Sequence, residues 1–133
     1  MNVRPLKGYG AFDAVLHRGR RFSSGPVGLT IETSPDAPQP LHTVHVGVTI
    51  GKRTARAAVV RTRVRRLLRE SARIVLDEHR QEILDLHVTT LILIWRQNPV
   101  QPSRIGLANV LPHVEEAVKK ALRTIHRERE QAQ

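Results

Sequence analysis

The chain reads as an α+β protein: a small mixed sheet with helices packed on it. Three observations predict that class. Segments 43–50 and 88–95 carry strand patterns; the stretch 57–73 splits on a helical wheel into an apolar face and a cationic face; and 107–125 repeats apolar residues at helical spacing. The predicted order is helix, strand, strand, long basic helix, strand, helix.

Residues 7–18, KGYGAFDAVLHR, put Phe12, Val15 and Leu16 at helical spacing, and Gly19 stands where a helix C-cap belongs. In Phe22–Glu32, Val27, Leu29 and Ile31 alternate, which predicts a strand; Gly25 and Pro26 make its start irregular or place it at an edge, and a further short strand fits within 20–26. Ser34–Pro40 holds three prolines and is read as a loop. Thr43–Ile50 alternates cleanly, with Val44, Val46, Val48 and Ile50 on one face and Thr43, His45, Gly47 and Thr49 on the other. Gly51, Lys52 and Arg53 turn into a long helix predicted over about Ala55–His79, with Thr54 as N-cap. The run Leu91–Trp95 predicts a central strand covered on both faces, and Gln97–Ser103, with two prolines, a loop. Leu107 to Ile125 gives the closing helix. Pro112 is placed in its first turn, where a missing N–H costs nothing, with Glu115 and Glu116 near the positive end and Arg123 and Arg127 near the other. No repeat or interdomain linker is evident, so 1–133 is read as one domain with flexible ends at about 1–6 and 128–133.

With 133 residues the chain is long enough for a real core. Only four residues are Phe, Trp or Tyr, so aromatics contribute little to binding. The segment Lys52–Arg80 holds ten Lys or Arg and three acids, and so carries +7 of the formal +10. Charge concentrated on one element makes a local field that phosphates neutralise. There is no cysteine, which excludes disulfides, thiol chemistry and thiolate zinc sites. The first residues, MNVRPLKGYGAF, hold no apolar signal region, and no apolar run approaches the ~18 residues of a bilayer span. The reading is a soluble cytoplasmic protein that does not bind membranes.

On the wheel, Val60, Val64, Leu67, Leu68 and Val75 gather on one side of the basic helix, with Ala57 and Ser71; Thr62, Arg65, Arg66, Arg69 and Arg73 gather on the other, and Arg61 and Arg63 flank the seam. Six arginines stand between 61 and 73 with one acid, Glu70. A solvated structural helix would mix its charges at i, i+4 spacing. Guanidinium forks bind phosphate bidentately and stay charged, so this face asks for a polyanion. It lacks the Asn or Gln that reads adenine in DNA, and shape-and-backbone recognition of folded RNA suits it better.

No catalytic constellation and no metal site are predicted. The seven histidines form no zinc-spaced pair, and His42 and His45 are read as strand-face or surface residues. GVTIGK, 47–52, lacks the spacing of a phosphate loop and the Ser or Thr after Lys, and the acids are scattered.

The string GKRTARAAVVRTRVRRLLRES resembles the signature of the bacterial ribonuclease P protein subunit. The matching residues are Lys52-Arg53, Ala58-Val59, Arg61-Thr62-Arg63, Val64, Arg65-Arg66, Leu67-Leu68 and Arg69-Glu70. Upstream, Leu6, Phe12, Val15, Gly19 and Phe22 fall where the family's N-terminal segment has them, and VHVGVTIGK is similar to its second conserved strand. The resemblance implies a two-layer sandwich of the ribosomal protein S5 domain 2-like type, with a left-handed βαβ crossover against the usual rule. It implies binding to the catalytic ribonuclease P RNA and to the 5′ leader of precursor tRNA, whose removal that RNA catalyses with Mg2+ held mainly on the RNA. No organic cofactor and no obligate protein partner are implied. The implied RNA-binding residues are Lys52, Arg53, Arg56, Arg61, Thr62, Arg63, Arg65, Arg66, Arg69 and Arg73. Phe12, Leu16 and Thr30 are the leader-cleft candidates, Phe12 reading equally as core. Two departures stand out: Thr62 occupies the middle of the usual Arg-Asn-Arg, and Leu16 and Thr30 stand where others are often aromatic. A ribosomal structural protein that binds rRNA is the first alternative and a DNA-binding regulator the second; the arginine string argues against the former, and no two-helix reading unit is found for the latter.

Overall fold

The structure, a computed structural model, describes residues 1–35, 42–98 and 104–132. The elements run β1 Asn2–Pro5, α1 Tyr9–Arg18, β2 Arg20–Ser24, β3 Val27–Thr33, β4 Thr43–Ile50, α2 Ala58–Glu78, α3 Arg80–Asp85, β5 Val88–Trp95 and α4 Leu107–Ala132. The strands form one mixed sheet in the order β1-β4-β5-β3-β2. The β1–β4 and β4–β5 pairs are parallel, and the β3–β5 and β2–β3 pairs are antiparallel. The α+β class is as expected, and α2 lies within the crossover between the parallel strands β4 and β5.

Alternation decides what each face of the sheet packs against. Val44, Val46, Val48 and Ile50 of β4 join Val27, Leu29, Ile31, Leu91, Leu93 and Trp95 in one core beneath α2 and α4. From α2 come Val64, Leu68, Ala72, Val75 and Leu76, and from α4 Val110, Val114, Ala117, Val118, Ala121, Leu122 and Ile125. The opposite face carries Gly47, Ile92 and Thr30 in register. Its cover is the ten-residue α1, which packs on β3 and β5 and buries Val15. Gly19 ends α1 with φ −73°, so it is not needed for a left-handed cap. It is needed for space: a Cβ there would stand 2.5 Å from Thr30 Cγ2 and 2.9 Å from Val15 O.

Several boundaries differ from the sequence reading. The segment 22–32 is a hairpin, with Gly25 at φ +53° in the turn between β2 and β3. β1 was not anticipated; its four residues are exposed, and only pairing with β4 makes them a strand. The ends read as flexible carry regular structure, β1 at one end and α4 as far as Ala132 at the other. The basic helix starts at Ala58 rather than Ala55, and its N-cap is Ala57, not Thr54. The Thr54 and Ala55 N–H groups both turn back to Gly51 O, at 3.0 and 3.1 Å, and Ala55 is buried at 3% exposure, so the chain fills the core before it coils. α2 ends at Glu78, and the separate helix α3 follows, closed by His87 at φ 56°. α4 begins at Leu107, where Gly106 N donates to Asn109 Oδ1 at 2.9 Å and Asn109 N to Gly106 O at 3.0 Å. Pro112 therefore sits inside the helix, not in its first turn; it and Ala108, whose carbonyl loses its helical partner, are both exposed. Glu115 and Glu116 lie past the first turns and pair with Lys119 at 3.0 Å and Arg123 at 3.6 Å. His42 is not a surface group: it is 1% exposed, and its Nε2 meets Val88 O. The loops read over 34–40 and 97–103 fall mostly outside the described residues.

Candidate nucleic-acid interface

The apolar side of α2 fixes where its arginines point. Val64, Leu68, Ser71, Ala72, Val75 and Leu76 are buried, and Val60 and Leu67 pack partly against the same core. The predicted seam holds, and the cations are left on the outer side. They are not equivalent, however. Arg61 Nη1 donates to Ala55 O at 2.9 Å and Arg56 O at 2.6 Å, tying the entry of the helix to the connection before it. Arg63 puts Nε and Nη2 on Ile105 O at 3.0 and 2.7 Å, which fastens α2 to the start of α4. These two predicted phosphate ligands spend their forks on backbone carbonyls. Arg65 Nη2 reaches Thr62 Oγ1 at 3.4 Å, a long contact. Arg73 pairs with Glu70 at 2.5 Å; that hydrogen bond holds the Glu70 carboxyl below, and the Arg73 guanidinium above, their ordinary values.

Among the described residues, the side chains of Lys52, Arg53, Arg56, Arg66 and Arg69 make no hydrogen bond or ion pair, and all five are exposed. The structure thus brings together a free group along the middle of α2 and another in the turn ahead of it. Nothing among the described residues neutralises them, so their field is available to an anion.

The leader-cleft candidates lie on the other face of the sheet. The Phe12 ring sits against Gly47, where a Cβ would be 2.6 Å from Cζ and 2.8 Å from Cε1. Phe12 and Leu16 are half-buried, so each is part core and part surface. Thr30 is 2% exposed beneath Gly19 and offers no open surface. Sequence reading missed Arg96: its guanidinium lies over Gly28, in the row with Thr49 and Ile94, and adds an exposed cation to this face. The only signal was an arginine immediately after an apolar strand.

For a metal, the described residues bring Glu78, His79 and Glu115 together, with one ligand atom from each within 4.8 Å of the others. That set does not fit magnesium, which prefers open oxygen donors in an octahedron. Glu115 is engaged by Lys119 at 3.0 Å, and His79 Nδ1 lies 3.3 Å from Glu82.

A basic helix crossing between parallel strands, beneath a sheet with a short first helix on its far face, can be compared with known proteins. The family profile described as Ribonuclease P matches residues 2–126. The chain belongs to the ribonuclease P protein family. Among solved structures, a ribonuclease P protein from Staphylococcus aureus is similar at TM-score 0.60 and 16% identity, covering 88% of this chain and 94% of that one. The ribonuclease P protein from Thermotoga maritima is similar at TM-score 0.54 and 14% identity, covering 89% and 94%. At such identities these structures speak for the fold. No curated protein matches the sequence. Family membership brings RNA binding, tRNA processing and ribonuclease P activity as part of a complex with the ribonuclease P RNA. No helix among the described residues is long and apolar enough to cross a membrane.

Proposed function

We propose that this chain is the RNA-binding subunit that docks on the catalytic RNA of ribonuclease P through α2 and helps that RNA remove the 5′ leader from precursor tRNA. The observation that carries the reading is the pair of exposed guanidiniums of Arg66 and Arg69, without a partner among the described residues, continued by Lys52, Arg53 and Arg56 ahead of the helix. The leader runs over the α1 face, along Phe12 and Leu16 toward Arg96. With so little aromatic surface there, stacking holds it weakly, and backbone charge and apolar contact supply the rest. Catalysis and magnesium belong to the RNA; the protein screens phosphate repulsion between RNA and substrate and thereby lowers the magnesium needed. The work is placed in the cytoplasm, without an obligate protein partner. Reconstitution tests this reading: with the cognate RNA at low magnesium, added protein accelerates leader removal. A rate equal to that of RNA alone refutes it.

A further inference from the structure

Between β1 and α2 lies an open groove of 490 Å³, lined by Val3, Pro5, Val46, Arg69, Ala72 and Arg73. It exists because β1 carries the sheet one strand beyond β4, on which α2 packs. Val3 and Pro5 stand in register with Val44 and Val46 and so share the helix-facing side of the sheet, yet Val3 remains 43% exposed. The floor is aliphatic and the rim is cationic: Arg69 has no partner among the described residues, and Arg73 is held only by Glu70 on the helix surface.

The groove also meets a strand edge that is unpaired among the described residues. Asn2 N donates to His42 O at 2.9 Å and Leu6 N to Val46 O at 2.8 Å. The alternation of a parallel ladder therefore turns the N–H and C=O of Val3 away from β4, toward the open side. Pro5 offers a carbonyl there but no N–H.

An aliphatic floor, two planar cations at the rim and a free backbone donor and acceptor describe a receptor for a flat heterocycle attached to an anion. An isolated phosphate makes no use of the floor, and an aliphatic protein segment leaves the Arg69 guanidinium unmatched. The volume falls within the ~300–1,000 Å³ of small-ligand sites. We propose that this groove receives one unstacked base of the RNA bound along α2. The base lies on Val3 and Pro5 with the Arg69 plane over it, and an adjoining phosphate meets Arg73. The Val3 N–H and C=O, in the plane of the sheet beyond the strand, are left for the sugar–phosphate backbone leading to the base. This rests on α2 being the RNA-binding face, and it adds a nucleotide pocket to what is otherwise a charged surface.

Chemical probing of base edges on ribonuclease P RNA, with and without the full-length protein, tests the pocket. The wild-type footprint should include one unpaired nucleotide whose base is protected. Val3→Trp fills the groove and should remove that protection, weakening binding about tenfold while the rest of the footprint persists. Arg69→Lys keeps the charge but loses the stacking plane; it should expose the same nucleotide, and it carries the test alone if Val3→Trp does not fold. Unchanged protection in the folded variants overturns the pocket. So does a uniform weakening that singles out no nucleotide, although the α2 interface then stands. If the wild-type protein leaves no footprint on the RNA, the docking reading itself fails and the pocket falls with it.

Discussion

The α2 face and the α1 face, the two surfaces proposed to meet RNA, are built by opposite means. α2 lies over a full aliphatic core, and its outer residues are long, charged and largely unpaired. The α1 face is covered by one short helix, and its candidates, Phe12 and Leu16, divide their surface between packing and solvent. On α2, the groups proposed to bind are separate from the stabilising groups, apart from Arg61 and Arg63. On the α1 face they are the same groups. A substitution on α2 therefore reads out in affinity and salt dependence, whereas one near α1 reads out in stability as well.

The largest effect is expected from removing the free cations. Arg66→Ala with Arg69→Ala should weaken binding to ribonuclease P RNA by about 10- to 100-fold near physiological salt and lower the log–log salt slope by roughly 1 to 2. Its unfolding midpoint in urea should stay near wild type, and a fall in stability equal to the loss in binding would erase the contrast with α1. Gly47→Ala should act the other way. Its methyl group would stand 2.6 Å from Phe12 Cζ, so α1 must shift, at a cost of about 1–3 kcal/mol by urea titration. Preference for leader-bearing over leaderless tRNA should fall, with the α2 salt slope preserved.

Arg63→Ala sharpens the comparison within α2 itself. Because its fork serves Ile105 O, the variant should lose about 1.5 kcal/mol of stability and change the salt slope less than Arg66→Ala does. Equal slopes for the two would mean that Arg63 leaves its carbonyl to reach phosphate.

The smallest effect concerns acid. The hydrogen bonds from Arg20 hold the Glu128 carboxyl below its ordinary value of 4.5. A lowered folded pKa contributes stability that is fully present above that value and is lost as pH falls through the lowered one. The stability gap between wild type and Glu128→Gln should thus be constant at neutral pH and shrink below about pH 4.5. The pair is exposed, so the gap is small.

Much of this was legible beforehand. The strand 43–50 was readable because alternation survives wherever one face is buried, and the buried stripe of α2 because its apolar residues keep the helical period. β1 was not legible, since an edge strand of exposed residues has no apolar pattern and exists only through β4. Nor was the start of α2: Thr54 looked like a cap, but local chemistry lost to the burial of Ala55. Thr30 was placed in a cleft by resemblance, and the close approach of Gly19 buries it.

The sequence by itself determined the class of fold, the position of the cationic helix and the family, because hydrophobic period, charge density and residue order are local properties that no packing can alter. Only the tertiary structure decided which arginines are free. On a helical wheel Arg61 and Arg63 flank the seam while Arg66 and Arg69 lie on the outer face, but the wheel does not say what any of them touches. Two of them lie within reach of carbonyls that other segments leave unpaired, and a buried or half-buried carbonyl without a donor costs more than an exposed guanidinium left to water. The division between engaged and free arginines is thus set by what the fold brings near each one.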